Sequence, residues 1–407
     1  MIALLAGGGA LAMDFDTPPE EPAAASLPPE LAAGADFHVV EPVQADGFMH
    51  HYVIVGKFGE FHAYGRTALA VRVREIEALT KIAKTSDVDV VVKTVTRRVQ
   101  GDAKTMSEAV GNPVKTVVGI PKGVSHLFSG YKAQASEMSD SVQHHGEPGG
   151  NSNAAHDVKA DAVRYADRYL GVSAAERRYY QQLGVDPYTD NTVLRKAVHH
   201  LAQVDATVNL GMHFVGIPGV PYLGDVRRAM DAIYNEDPAV LRARRRTTLA
   251  GYGLSSGEIQ RFENTLLLSP TRQSLLAEYA KSLDGVAGRD ELFRHALGLT
   301  TEQEAEVFMQ STGMLVRLHA HRPVSRILAG LRLPAAQFAD GGIVVPGAID
   351  ALYWTEDVAI DEATLHALLP SSSGKLELWV SGTVSTRARR ELESRGWDVH
   401  ADAAQVI

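Results

Sequence analysis

Apolar positions along the chain fall into two rhythms, and the change from one to the other predicts its elements. His51-Tyr52-Val53-Ile54-Val55 and Glu60-Phe61-His62-Ala63-Tyr64 alternate around Gly56-Lys57-Phe58-Gly59, the pattern of a β-hairpin. From Thr67 to Lys84 the spacing becomes helical, with Leu69, Val73, Ile76, Leu79 and Ile82 on one face. Asp87 to Val99 has a Val-rich core that suits a strand, while Lys and Arg at helical offsets allow a helix, the preferred reading. Asn112-Pro113 supplies a cap and a first-turn proline for another. Between Ala154 and Arg322 helices follow one another through short connections. Leu183-Gly184-Val185-Asp186-Pro187 stops one of them, Ser255, Ser256 and Ser269-Pro270 start others, and Thr301 with Glu304 forms a capping-box pattern. Short links make neighbouring helices antiparallel.

After Pro323 the texture is β-like again. Leu376 to Val380 reads as a strand, Thr386 to Arg395 as a helix and Trp397 to His400 as a second strand, a β-α-β unit with parallel strands. The expected fold class is therefore α+β and mainly α-helical: a helical hairpin stack with an N-terminal β-hairpin region and a small C-terminal β-α-β unit. The expected division is a signal-peptide-like segment over 1–12, a Pro/Ala/acidic linker over 13–49, and the β-hairpin with amphipathic helices over 50–142. A Gly-rich linker over 143–153, a helical domain over 154–322 and the α/β unit over 323–407 complete it.

Two stretches carry a resemblance: Asn112-Pro113-Val114-Lys115-Thr116-Val117-Val118-Gly119-Ile120-Pro121-Lys122-Gly123-Val124, and Leu183-Gly184-Val185-Asp186-Pro187-Tyr188-Thr189. Together they resemble a group of uncharacterised exported proteins of Gram-negative bacteria. The resemblance implies export and carries no known activity, ligand or catalytic residue. The N-terminus agrees with it. Ile2 to Ala12 is uncharged and ends Ala10-Leu11-Ala12, the form of a signal-peptidase site, although no Lys or Arg precedes the run. The expected location is periplasmic or otherwise exported.

Composition narrows the chemistry. The 407 residues include no cysteine, which excludes disulfides, thiolate metal sites and cysteine nucleophiles. A net charge of −9 argues against general nucleic-acid binding. The densest basic run, Arg242, Arg244, Arg245 and Arg246, has Glu236 and Asp237 beside it and reads as a salt-bridged helix face.

The segment Asn112 to Ser136 has no acidic residue and interleaves lysines with apolar side chains, as an interfacial membrane segment does. Val117, Lys122, Leu127 and Phe128 are its expected membrane or ligand contacts, with anionic lipid or another envelope component as partner. Ser381, Gly382, Thr383 and Ser385 lie between a strand and a helix start, where backbone N–H groups favour an anion. Histidines number 16, but no cluster has a diagnostic metal spacing, so no metal ligand is assigned and the cofactor stays open.

Three functional readings follow. The first is a non-catalytic binding or scaffolding module of the cell envelope resting on a membrane surface. The second is an envelope hydrolase or transferase using Ser381 to Ser385 with Asp398 and His400. The third is a metal-binding protein, with Met49-His50-His51 and His144, His145 and His156 as its stretches. Whether the chain is an enzyme is left undecided by sequence.

Overall fold

A computed structural model describes residues 15–84, 169, 171–204, 223–370 and 374–405. The fold is α+β and rich in helix. Chain order begins with α1 (Ala23–Ser26), α2 (Pro29–Ala32), β1 (Ala33–Gly34), β2 (Phe37–Val39) and β3 (Gln44–Ala45). The hairpin β4 (His50–Gly56) and β5 (Gly59–Tyr64) follows, then the long α3 (Arg66–Lys84). Strands β1 to β5 form one antiparallel sheet in which β4 is central, flanked by β2, β3 and β5.

Residues 15–49 are thus folded, against the expectation of an extended linker over 13–49. Ala23, Leu27, Leu31, Phe37, Val39 and Val43 are all buried in the same core as the hairpin and α3. Prolines and alanines dominate the average, but the few large apolar side chains are spaced to reach one sheet, and Pro29 starts α2 rather than blocking it. The five apolar positions of α3 read from the sequence are buried, and they cover this sheet.

Helices α4 (Ala174–Leu183) and α5 (Thr192–Val204) close the same core, although they come late in the chain. Their junction is the Leu183 to Thr189 segment. Gly184 adopts a left-handed φ of 67° and ends α4, a conformation that costs a Cβ-bearing residue energy. The Thr189 hydroxyl then donates to Glu75 Oε1 on α3, while Asn191 Nδ2 and Arg72 donate to Glu75 Oε2 at 3.1 and 2.6 Å. Burial, with the nearby Asp190 charge adding to it, raises the Glu75 carboxyl above its usual range, and these donors offset it only in part. The segment is therefore a packing joint. It also reaches the next helices, because Tyr234 donates to the Val185 carbonyl and Thr271 to the Asp186 carboxylate.

Helix α6 (Leu223–Asn235) sends Met230 and Tyr234 into this first core, and a second core lies beyond it. The second core gathers α7 (Pro238–Gly251), α8 (Ser256–Asn264), α9 (Pro270–Ser282), α10 (Arg289–Leu297) and α11 (Glu302–His321). Ser255 caps α8 in a full capping box with Glu258, and Ser269 caps α9 ahead of Pro270. At α11 the pattern is only half realised. Thr301 accepts from Glu304 N, but the Glu304 carboxylate turns to Thr300 and Arg332. The arginine run on α7 is tied down by carboxylates: Arg242 and Arg246 to Glu263, Arg244 to Glu236. Arg245 is buried and donates to Ser274.

The C-terminal part is larger than a β-α-β unit. It holds β6 (Val324–Ile327), β7 (Ala336–Phe338), β8 (Ile343–Gly347), β9 (Ala351–Leu352), α12 (Glu356–Leu368), β10 (Leu376–Val380), β11 (Thr383–Val384), α13 (Thr386–Ser394) and β12 (Trp397–His400). One five-stranded sheet runs β12-β10-β8-β7-β6. Its first three strands are parallel and the rest antiparallel. Every residue of β8 is buried, as a strand covered on both faces requires. Leu378 and Val380 face a core shared with α12 and α13, and α11 covers β8 on the other face. Helices α4 and α5 thus share a core with the N-terminal sheet, and α7 to α11 share one with the C-terminal sheet.

One buried histidine makes the fold pH-sensitive. His295 on α10 is 1% exposed and packs edge-on to Phe308. Burial lowers it from 6.5 to about 4, partly offset by the Leu328 backbone. Below pH 6.5 the unfolded chain takes up a proton that the folded chain refuses until about pH 4. The contribution of His295 is therefore full above pH 6.5 and is lost between pH 6.5 and 4, by about 3 kcal/mol. Urea unfolding across this range should show the His295→Leu variant losing less stability than wild type. Parallel curves for the two proteins would remove His295 as the cause.

Candidate functional site

In a sheet with parallel strands, ligands bind in the crevice beyond the carboxyl ends of those strands. Here that edge is formed by Gly347 to Asp350 after β8, Ser381 and Gly382 after β10, and Asp402 after β12. Backbone bonds lace the three ends together. Ser381 N donates to Gly347 O, Gly382 N to Ile349 O, and Asp402 N to Gly382 O. Gly382 lies so close to the segment between β8 and β9 that a Cβ would sit 2.0 Å from the Asp350 carbonyl oxygen.

Two other parts of the chain close over this edge. The turn before β4 lies against β9 and the residues flanking it: Asp350 N and Ala351 N donate to Phe48 O at 3.0 and 3.1 Å, and Tyr353 N to Gly47 O at 3.0 Å. In return the Asp350 carboxylate accepts from His50 N at 3.3 Å and from Arg66 N, at the start of α3, at 3.0 Å. The His50 ring lies 3.6 Å from the same oxygen and is 4% exposed. One carboxylate thus serves both the hairpin and the N-terminus of α3, whose first N–H groups have no partner within the helix.

The second cover is the N-terminal strap. Asp16 N donates to Trp354 O at 2.8 Å, and Trp354 N donates to Asp16 Oδ2 at 2.9 Å. Ser385 donates its hydroxyl to the same oxygen at 2.6 Å while accepting from Ala388 N as the cap of α13. Arg387 Nε stands 3.2 Å from Asp16 Oδ1.

The serines read from the sequence are placed as follows. Ser381 donates to the Ile349 carbonyl at 2.8 Å, Gly382 packs against Asp350, Thr383 lies in β11 paired with β9, and Ser385 holds Asp16. Of the four, among the described residues, Ser385 is the one that contacts an anionic group, and the group belongs to the chain itself.

His400 and Asp398 go elsewhere. By strand alternation they share a face with Glu377 and Trp379, opposite the face that packs on α12 and α13. His400 stacks on Trp379 at 4.3 Å, with its Nε2 3.7 Å from Glu377 and 3.6 Å from Asp398. Glu377 accepts from Arg322 at 2.7 Å and from the Trp379 indole at 3.0 Å. The expected hydrolytic grouping of Ser381 to Ser385 with His400 is therefore not assembled. Its members point to different partners on different sides of the sheet edge. Glu377, Trp379 and Arg322 were not singled out by sequence, since each becomes notable only through neighbours distant in the chain.

Val117, Lys122, Leu127 and Phe128 lie outside the described residues, as do His144, His145 and His156. Met49 is buried, and His51 bonds Asp46 Oδ2 at 3.3 Å. Burial raises the Asp46 carboxyl, but donors from His51, Met49, Tyr64 and Phe48 outweigh it and hold the group below the usual range. Among the described residues no three His, Asp or Glu side chains converge in a metal-holding group, and no helix is long and apolar enough to cross a membrane. A shallow surface groove of about 430 Å³ lies between Glu362, His366 and Arg395 on the outer side of α12 and the end of α13.

Comparison with protein families, curated proteins and solved structures found no match to this chain.

Asp350→Ala leaves the N–H groups of His50 and Arg66 without their acceptor, and each buried loss costs about 1–3 kcal/mol. Urea unfolding at pH 7 should show the variant destabilised by about 3 kcal/mol, with Asp350→Asn, which keeps one acceptor oxygen, in between. A loss in Asp350→Ala below about 0.5 kcal/mol, the level of an ordinary surface change, would contradict this role.

Proposed function

We propose that this chain is a non-catalytic binding or scaffolding module of a bacterial cell envelope, exported and working against a membrane surface. The observation that carries the non-catalytic part is the filled crevice. The segment beyond the carboxyl end of β8, where a parallel sheet would hold a substrate, is covered by the Phe48 turn, and the residues that follow β9 and β11 are covered by the Asp16 strap. The hydroxyls of Ser381 and Ser385 are committed to backbone and to Asp16, and the imidazole of His400 lies on another face. A triad needs nucleophile and base within hydrogen-bond reach, and this arrangement does not supply it.

The helical hairpin stack and the closing β-α-β unit belong to this reading as its scaffold. Export rests on the signal-peptide-like start and on the resemblance to exported proteins. The membrane part rests on Asn112 to Ser136, whose lysines and apolar side chains, with no acidic residue among them, suit an anionic lipid surface.

Co-sedimentation with anionic and neutral liposomes tests the membrane part, using wild type and a variant with Val117, Leu127 and Phe128 changed to Ser. Wild type should pellet with anionic vesicles, and the variant, its fold verified by circular dichroism, should stay in solution. Wild type remaining soluble with both vesicle types would overturn membrane contact.

A further inference from the structure

The contacts of the N-terminal strap describe a recognition site as well as a seam. Four groups from two stretches of the C-terminal part converge on Asp16. Trp354 offers both its backbone N–H and its carbonyl, Ser385 its hydroxyl, and Arg387 its guanidinium. The N–H of Trp354 meets the side-chain carboxylate and its carbonyl meets the main-chain N–H of the same residue. The pattern therefore reads an aspartyl residue within an extended peptide, and not merely a negative charge. The N-terminus of α13, capped by Ser385, adds a positive partial charge beside the carboxylate. Next to it Phe15 packs, partly buried, against the apolar core of α12, α13 and the sheet. Beyond Asp16 the chain leaves through Pro18-Pro19, and it rejoins the N-terminal sheet where Glu21 pairs with Val43.

We propose that this cradle is a binding site for an extended acidic peptide with the pair Phe-Asp, filled in cis by Phe15 and Asp16, and open to a partner's segment of that chemistry when the strap is displaced. Charge-assisted bonds to a carboxylate, together with an aromatic anchor, are the usual core of such peptide sites. The strap competes at high effective concentration because it is tethered, so a peptide in trans binds well only after the tether's own contacts are weakened. The proposal deepens the binding-module reading and rests on it, but not on its membrane part. The assay below contains no lipid, so the two can fail separately.

The test uses the full chain with Phe15→Ala and Asp16→Ala together, and a fluorescent peptide Phe-Asp-Thr-Pro-Pro-Glu copied from residues 15–20. Anisotropy titration should show saturable binding to the folded variant, about tenfold or more tighter than to wild type. The same peptide with Asn in place of Asp should bind about tenfold more weakly, and adding Ser385→Ala with Arg387→Ala should abolish the difference between the two peptides. Should the double variant not fold, Asp16→Ala alone carries the same comparison. No binding by a folded variant, equal binding by wild type, or equal binding of the Asp and Asn peptides would each overturn the proposal.

Discussion

The contact on which most of this structure depends is the carboxylate of Asp350. Its Oδ2 accepts two backbone N–H groups, those of His50 and Arg66, from a part of the sequence about 300 residues away. An amide buried without an acceptor forfeits its bond to water and gains nothing in return. The hairpin and α3 therefore sit where Asp350 can serve both. The reciprocal bonds from Asp350 N and Ala351 N to Phe48 O make the junction two-way. The register of the N-terminal sheet on the C-terminal one, and with it the closure of the crevice, follows from this exchange.

A second carboxylate, Asp16, completes the closure. It supplies the negative charge that the capped start of α13 favours, and it occupies the hydroxyl of Ser385. The chemistry expected at Ser381 to Ser385 is thus present only in part: Ser385 and Arg387 hold an anion, while Ser381, Gly382 and Thr383 build the strand ends beneath it. A site whose occupant is tethered suits a module that binds and releases chain segments better than one that turns over a substrate.

Much of the local structure was legible in the sequence because local rules decide it. Alternation around Gly56 to Gly59 gives β4 and β5, and the five apolar residues of α3 are the ones that are buried. Ser255, Ser269 and Gly184 act at helix ends where their side chains, or the lack of one, predict. What was not legible depends on partners far apart in the chain. Asp350 and Asp16 are two of 49 acidic residues, and nothing next to them in sequence marks their role. The region before His50 looked like a linker because composition averages over the six large or small apolar side chains that anchor it. Glu377 is buried in the middle of a strand and becomes intelligible only once Arg322 and the Trp379 indole are seen to satisfy it.

The central claim is that the N-terminal sheet and the carboxyl edge of the C-terminal sheet form one cooperative unit through Asp350. Native-state hydrogen exchange, followed by mass spectrometry in low urea, reads this directly by comparing peptides covering 48–66 with those covering 343–352. The account predicts that the two regions open together, with the same free energy and the same dependence on urea. Exchange of 48–66 by a separate, much lower-energy opening, with 343–352 still protected, would contradict it.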